Sequence, residues 1–143
     1  MSTPYALHQS RAVLASAGTG KTYTLVETYV GLLVGIRPRA PVAPSSILAL
    51  TFTDRAASEM RARVLARLQA LSTPGAARDA WLQHLGGQAV LTSTGELAQL
   101  QPQVLGAPIG TFHAFCARLL HEHASLHGHG LASAWAQSAQ PGD

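Results

Sequence analysis

Eight consecutive residues, Ala15, Ser16, Ala17, Gly18, Thr19, Gly20, Lys21 and Thr22, have the types and spacing of a loop that holds phosphate. They follow the formula of a glycine, four free positions and then Gly-Lys-Ser/Thr, with Ala15 standing where the first glycine is usual. Gly18 and Gly20 permit a tight turn that aims successive amide hydrogens at phosphate oxygens. A helix starting there adds the positive end of its dipole. Lys21 would bring a full charge to the β and γ phosphates of a nucleotide, and the Thr22 hydroxyl is placed to ligate a Mg2+ ion that keeps most of its water. Nine of the ten basic residues are arginines, so no other lysine can replace Lys21. An ordinary glycine-containing strand-to-helix turn is the plain alternative, and it leaves the order Gly-Lys-Thr after an apolar run without a reason.

Such a loop needs a strand before it and a helix after it. Residues 11–15 form a short apolar run of strand type, and a helical pattern begins near Gly20 with Leu25, Val26, Tyr29, Val30, Leu32 and Leu33 on its inner side. Gly35 and Pro38 supply the stop. A nearly continuous apolar run at 47–52 predicts a second strand, covered on both faces as parallel strands are. Thr53 or Asp54 can cap the next helix, whose apolar positions Ala57, Met60, Val64, Leu68 and Leu71 recur at helical spacing until Pro74 and Gly75. Arg55, Glu59, Arg63 and Arg67 fall four apart on its polar side.

From 76 to 106 the pattern weakens into one or two short helices, with breaks expected at Gly86, Gly87 and Pro102 and no visible chemistry. Residues 108–111 suit a third strand, leading to a helix with Phe112, Phe115, Cys116, Leu119 and Leu120 on one face. Residues 128–143 have the composition of a frayed tail. The order strand, helix, strand with glycines in the first turn is the parallel α/β plan.

The totals set bounds without choosing a function. A chain of 143 residues suits one domain. The hydrophobic share is 47%, but 25 of those residues are alanines, so the core is expected to be thin. A net charge of +3 is compatible with a polyanionic partner and does not require one. The single cysteine, Cys116, excludes an internal disulfide, fits a reducing compartment and is expected to be a small buried hydrophobe. No secretory pattern opens the chain, and no apolar run approaches the ~20 residues that span a bilayer. A soluble cytoplasmic protein with no membrane partner is expected.

Two further runs discriminate among nucleotide-binding proteins. The run from Thr51 to Arg61, Thr-Phe-Thr-Asp-Arg-Ala-Ala-Ser-Glu-Met-Arg, resembles motif Ia of superfamily 1 DNA helicases, and Gly-Thr-Phe-His-Ala-Phe-Cys from Gly110 to Cys116 resembles their motif Ib. With the phosphate loop as motif I, the three stand in the family's order. The resemblance spans about Val13 to Leu120 and is closest to the UvrD/Rep group, with Ser16 and Cys116 leaning toward its RecB/AddA branch.

The resemblance implies a P-loop NTPase fold with a RecA-like parallel sheet flanked by helices, here incomplete: residues 1–143 would be the N-terminal portion of the ATP-binding domain. It implies ATP and Mg2+ at the loop, with Thr22 as the metal ligand and Lys21 and Thr22 as the catalytic pair. It also implies single-stranded DNA on Thr51, Phe52 and Thr53 after the second strand, and on Thr111, Phe112 and His113 in the later turn. Hydroxyls and amides suit phosphate oxygens, and an aromatic ring can stack on any base. Core packing is the alternative for Phe52 and Phe112 and is favoured for Phe115; a surface or capping position is favoured for His113.

Asp54 stands where relatives often carry an amide, and a carboxylate repels DNA phosphate unless it caps the helix. No glutamine stands at the usual distance before the loop to read adenine. The Asp-Glu motif that holds magnesium and orients water is missing, as are the motifs of a second motor domain. The chain alone is therefore expected to turn ATP over negligibly. The leading expectation is a truncated piece of a 3′→5′ helicase of repair or recombination, whose partner would be the remainder of a helicase or helicase–nuclease complex. A stand-alone non-catalytic ATP and single-strand binding module is the alternative, and an unrelated P-loop kinase or regulatory NTPase leaves both Thr-Phe turns unexplained. The histidines at 121, 123, 127 and 129 read as a solvated helix end rather than a zinc site, because no HExxH pattern or cysteine pair accompanies them.

Overall fold

In the computed structural model the described residues are 20–124, together with Leu7, Ser10, Ala12 and Leu14. Most of the expected strand at 11–15, most of the phosphate loop, and the tail at 128–143 lie outside them; of that strand, Ala12 and Leu14 are described and are exposed and outside any strand. Helix α1 runs Lys21–Val34 and buries Val26, Tyr29, Val30, Leu33 and Val34, the i, i+3, i+4, i+7, i+8 stripe of an amphipathic helix. Leu25 and Leu32 lie off that stripe. Leu25 is 54% exposed and does not hold the inner position expected of it, whereas Leu32 is half-buried and packs against the edge of the core.

Gly35 ends α1 at φ 70°, and its amide donates to the Gly31 carbonyl. A Cβ there would stand 2.5 Å from the Pro41 nitrogen, because the chain turns back against the helix end and the Val42 amide bonds to the Leu32 carbonyl. The exit from α1 is also tied to a distant segment. Leu91, Val90 and Gln88 exchange backbone bonds with Val34, Gly35 and Arg37, and Ile36 bridges Ala89 in antiparallel fashion.

After a short 3-10 turn at Pro44–Ser46, strand β1 spans only Ala49–Thr51. The apolar run is longer than the strand because the pairing partner, β2 at Ile109–Thr111, is three residues long. The two strands are parallel, with Ala49 opposite Ile109, Leu50 opposite Gly110 and Thr51 opposite Thr111. One face of this pair is covered by α2, Asp54–Ser72, which also packs on α1 and on the later helices. Its predicted stripe is intact: Ala57, Met60, Val64, Leu68 and Leu71 are all buried. Truncating a fully buried leucine such as Leu68 to alanine should cost about 2–5 kcal/mol. On the other face, Leu48, Leu50, Phe115 and Arg118 border an open hollow of about 270 Å³.

The stretch without a role in the sequence folds as α3, Ala76–His84, and α4, Thr94–Leu105. Trp81 and Leu85 anchor α3 in the core, and Gly86 and Gly87 make the expected break with positive φ. Pro102 does not break the chain: it sits inside α4. A proline there removes a helical bond, but a capping box between Ser93 and Glu96 secures the start, and burial of Leu97, Leu100 and Val104 holds the helix through it. Helix α5, Phe112–Ala124, follows β2 without a linker, and none of its described residues is buried. Its apolar face is therefore open, with Leu119 and Leu120 partly exposed. Cys116 is exposed too, against the expectation of a buried thiol.

Candidate functional site

At the start of α1, Gly20 is the N-cap in the left-handed conformation, φ 83°, a geometry that side-chain-bearing residues rarely adopt. The first helical bond is the Thr24 amide to the Gly20 carbonyl at 2.9 Å. The amides ahead of Thr24 have no acceptor within the helix, as at any helix start. Among the described residues no side chain caps them, and no acidic residue occupies the first turn. Lys21 is exposed and Thr22 half-buried at the same end. Helix-start amides that are free among the described residues, the positive helix end, an exposed lysine and a hydroxyl are donors of the chemistry that a phosphate group requires. Ala15, Ser16, Ala17, Gly18 and Thr19 lie outside the described residues.

The second part of the site lies at the carboxyl ends of β1 and β2, where open parallel sheets bind their ligands. Because Thr51 and Thr111 are register partners, the turns that follow them emerge side by side although 60 positions separate them. The Phe52 and Phe112 rings meet with centroids 5.3 Å apart and planes tilted by 39°. Phe52 is 87% exposed and Phe112 is 44% exposed. Core packing, the alternative reading of both rings, therefore does not describe Phe52. Phe115, half-buried beside the open hollow, is only partly the core residue it was expected to be.

Local hydrogen bonds fix the two turns. The Thr51 hydroxyl lies 3.0 Å from the Thr53 carbonyl and 3.3 Å from the Gly110 carbonyl, so its one proton serves either its own turn or the facing strand. Thr53 is the cap of α2: its hydroxyl accepts from the Ala56 amide at 3.1 Å. Asp54 then begins the helix, exposed, where a carboxylate complements the helix dipole. Thr111 is buried, and its hydroxyl accepts from the Ala114 amide at 3.1 Å, bracing the start of α5. His113 is exposed in that first turn. The two threonine hydroxyls of the paired strands are thus engaged internally, while the two phenyl rings and His113 present open surface.

Two polar contacts escaped the sequence. Arg61 of α2 donates to the Ile109 carbonyl at 2.7 Å and more loosely to the Ala107 carbonyl at 3.4 Å. Arg67 is not a surface member of an i, i+4 row, as expected, but pairs with Glu27 of α1, whose side chain is 2% exposed. Glu27, the one carboxylate in α1, was the available signal. Glu59 and Arg63 do pair along the α2 surface. His121 and His123 lie in the last turn of α5, His123 Nδ1 2.9 Å from the Leu119 carbonyl. No group of three metal-binding side chains occurs among the described residues, and His127 and His129 lie outside them. No helix of the described residues is long and apolar enough to cross a membrane.

The described residues form an α/β arrangement, five helices around a two-stranded parallel sheet, as is consistent with a helicase N-terminal domain. The family model of the UvrD/REP helicase N-terminal domain matches residues 2–140, and the chain belongs to that family. It is 31% identical over 129 residues to the RecBCD enzyme subunit RecB of Escherichia coli (strain K12), a match that covers 82% of this chain and 11% of that protein. It is 33% identical over 119 residues to an ATP-dependent helicase/nuclease subunit of Staphylococcus carnosus (strain TM300), covering 83% of this chain and 8% of the relative. The corresponding protein of Moorella thermoacetica (strain ATCC 39073 / JCM 9320) is 36% identical over 111 residues, covering 78% of this chain and 7% of the relative. The chain therefore spans about a tenth of the length of these relatives or less.

Proposed function

We propose that this chain supplies the nucleotide loop and part of the single-strand grip of an ATP-driven 3′→5′ DNA helicase, in the manner of a RecB- or AddA-type motor acting in repair or recombination. In this reading residues 15–22 hold ATP, Lys21 neutralises the β and γ phosphates and Thr22 ligates Mg2+. Gly20, left-handed at the start of α1, supports this reading, because it leaves the first amides of the helix directed at the position of the phosphates. The strand is gripped by Thr51, Phe52 and Thr53 together with Thr111, Phe112 and His113. Backbone amides of the turns and the exposed Thr53 hydroxyl address phosphates, Thr51 and Thr111 brace the turns from within, and the two rings stack on bases without reading their sequence. Hydrolysis requires an acidic pair and a second motor domain, which the longer relatives have the length to carry.

The observation that carries this reading is the contact of Phe52 with Phe112 at the carboxyl end of two in-register parallel strands. Photocrosslinking of a 5-bromouracil-substituted single strand to the 143-residue chain, with the adducts mapped by mass spectrometry, tests it. Adducts on the peptides bearing Phe52 and Phe112 are expected. Adducts confined to other peptides, or none, contradict the grip. A parallel Mg-ATP titration should show saturable binding that Lys21→Ala abolishes; equal binding by the variant would remove the loop assignment.

A further inference from the structure

We infer that Arg61 is a positioning residue that sets the spacing of the two aromatic turns, and so tunes the single-strand grip without touching the strand itself. The inference rests on the proposed grip for its consequence but not for its geometry.

The strand pair that carries Phe52 and Phe112 is short, with only three residue pairs in its register. A ladder of that length holds two turns weakly unless something else ties them. Successive carbonyls along a strand point to opposite edges. Pro108 accepts from the Ala49 amide and Gly110 faces the Thr51 hydroxyl, so both of these carbonyls point toward β1. The Ile109 carbonyl between them points away, to the outer edge of β2, and this is the group that the Arg61 guanidinium binds at 2.7 Å. A charged donor on a neutral carbonyl is stronger than an amide donor. The second, longer contact to the Ala107 carbonyl extends the hold to the turn that leads into β2.

The other end of the tie is equally defined. Arg61 belongs to α2, whose N-cap is Thr53, and Thr53 is the residue after Phe52. Phe52 is therefore connected to α2 through its cap, and Phe112 follows directly on β2, whose outer edge Arg61 fastens. A closed circuit results: β1, the Thr53 cap, the first turns of α2, Arg61, β2 and back through the ladder. Removing Arg61 opens the circuit and leaves the Ile109 carbonyl without that donor. The hydrophobic stripe of α2 is untouched, because Arg61 is only half-buried and lies beside it.

The test compares the 143-residue chain with Arg61→Met, which keeps the apolar stem, and Arg61→Lys, which restores one charged donor in place of the fork. Two readouts are taken: the nuclear Overhauser contact between the Phe52 and Phe112 rings without DNA, and fluorescence-anisotropy affinity for a labelled oligothymidylate. The expected result is a cooperative thermal transition in all three chains, loss of the ring contact in Arg61→Met, a fall in oligonucleotide affinity of about tenfold, and partial recovery of both in Arg61→Lys. A folded Arg61→Met chain that keeps the ring contact overturns the inference. If Arg61→Met does not fold, Arg61→Lys decides: a ring contact weaker than the parent's supports the tie, and one equal to the parent's overturns it. If the ring contact is lost while even the parent chain binds no oligonucleotide, the positioning role stands and the proposed grip fails.

Discussion

Glu27 of α1 and Arg67 of α2 form a two-point ion pair, Nε to Oε1 at 2.6 Å and a terminal guanidinium nitrogen to Oε2 at 3.1 Å, with the carboxylate almost fully enclosed. This pair pins the helix that begins at Lys21 to the helix that begins after Phe52. It thereby links the two halves of the site through the core.

Removing one partner of that pair should be costly, and replacing both should not. Glu27→Ala takes the enclosed carboxylate from the half-buried Arg67 guanidinium and should lower stability by about 3 kcal/mol. Replacing both residues with leucine and methionine should recover much of the loss. The surface pair Glu59–Arg63, about half exposed on each side, should contribute under ~0.5 kcal/mol. Urea denaturation of these variants checks the ranking; equal losses from Glu27→Ala and Arg63→Ala would contradict it.

Gly35 and Gly20 should respond differently to alanine although both have positive φ. At Gly35 the new methyl would meet backbone of Ala40 and Pro41 at 2.8 and 2.5 Å, so strain adds to the left-handed backbone cost, for a loss above ~2 kcal/mol. At Gly20 no atom of the described residues lies within 4 Å of an added Cβ, and the ~1–2 kcal/mol backbone cost is the expected loss. Thermal melts separate the two, and Mg-ATP titration should show Gly20→Ala losing nucleotide while it remains folded.

Two groups shape the pH dependence at opposite ends. The Ser93 hydroxyl and amide both donate to the Glu96 carboxylate and hold its pKa below the ordinary value. Its contribution is complete above about pH 4.3, the unfolded value, and fades as the pH falls through the lower folded one. Burial raises the Tyr29 pKa, an effect the nearby Arg61 charge partly offsets. Its contribution is complete below about pH 10 and is lost as the pH rises through the folded value. The Tyr29 hydroxyl has no hydrogen-bond partner among the described residues, so Tyr29→Phe should be neutral or stabilising by about 1 kcal/mol and should flatten the alkaline limb. Melting curves from about pH 3 to about pH 11 test both arms, and an alkaline limb unchanged in Tyr29→Phe would assign it elsewhere.

How much of the fold is legible in the sequence depends on whether the deciding contacts are local. The α2 stripe from Ala57 to Leu71 is legible because helical spacing alone determines which side faces inward. Both described strands are legible too, yet their three-residue length is not, since each ends where its partner ends. Arg67 resembles a surface residue because its spacing from Arg63 is helical, and only the packing of α1 against α2 brings Glu27 to it. Cys116, Leu119 and Leu120 have the pattern of a buried face, but no described element covers α5. At the site, the Thr-Phe turns are legible as motifs. Their contact is not, because it depends on register across 60 positions rather than on either turn.

The central claim is that Phe52 and Phe112 act as one surface for a single strand. Anisotropy titration of a labelled oligothymidylate into the parent chain, Phe52→Ala, Phe112→Ala and the double variant measures it directly. Each single change should weaken binding about tenfold, since one base stack is worth ~1–3 kcal/mol, and the double change should cost less than the product because the rings share one platform. Four identical titrations, or two independent losses that multiply, would contradict a joint surface.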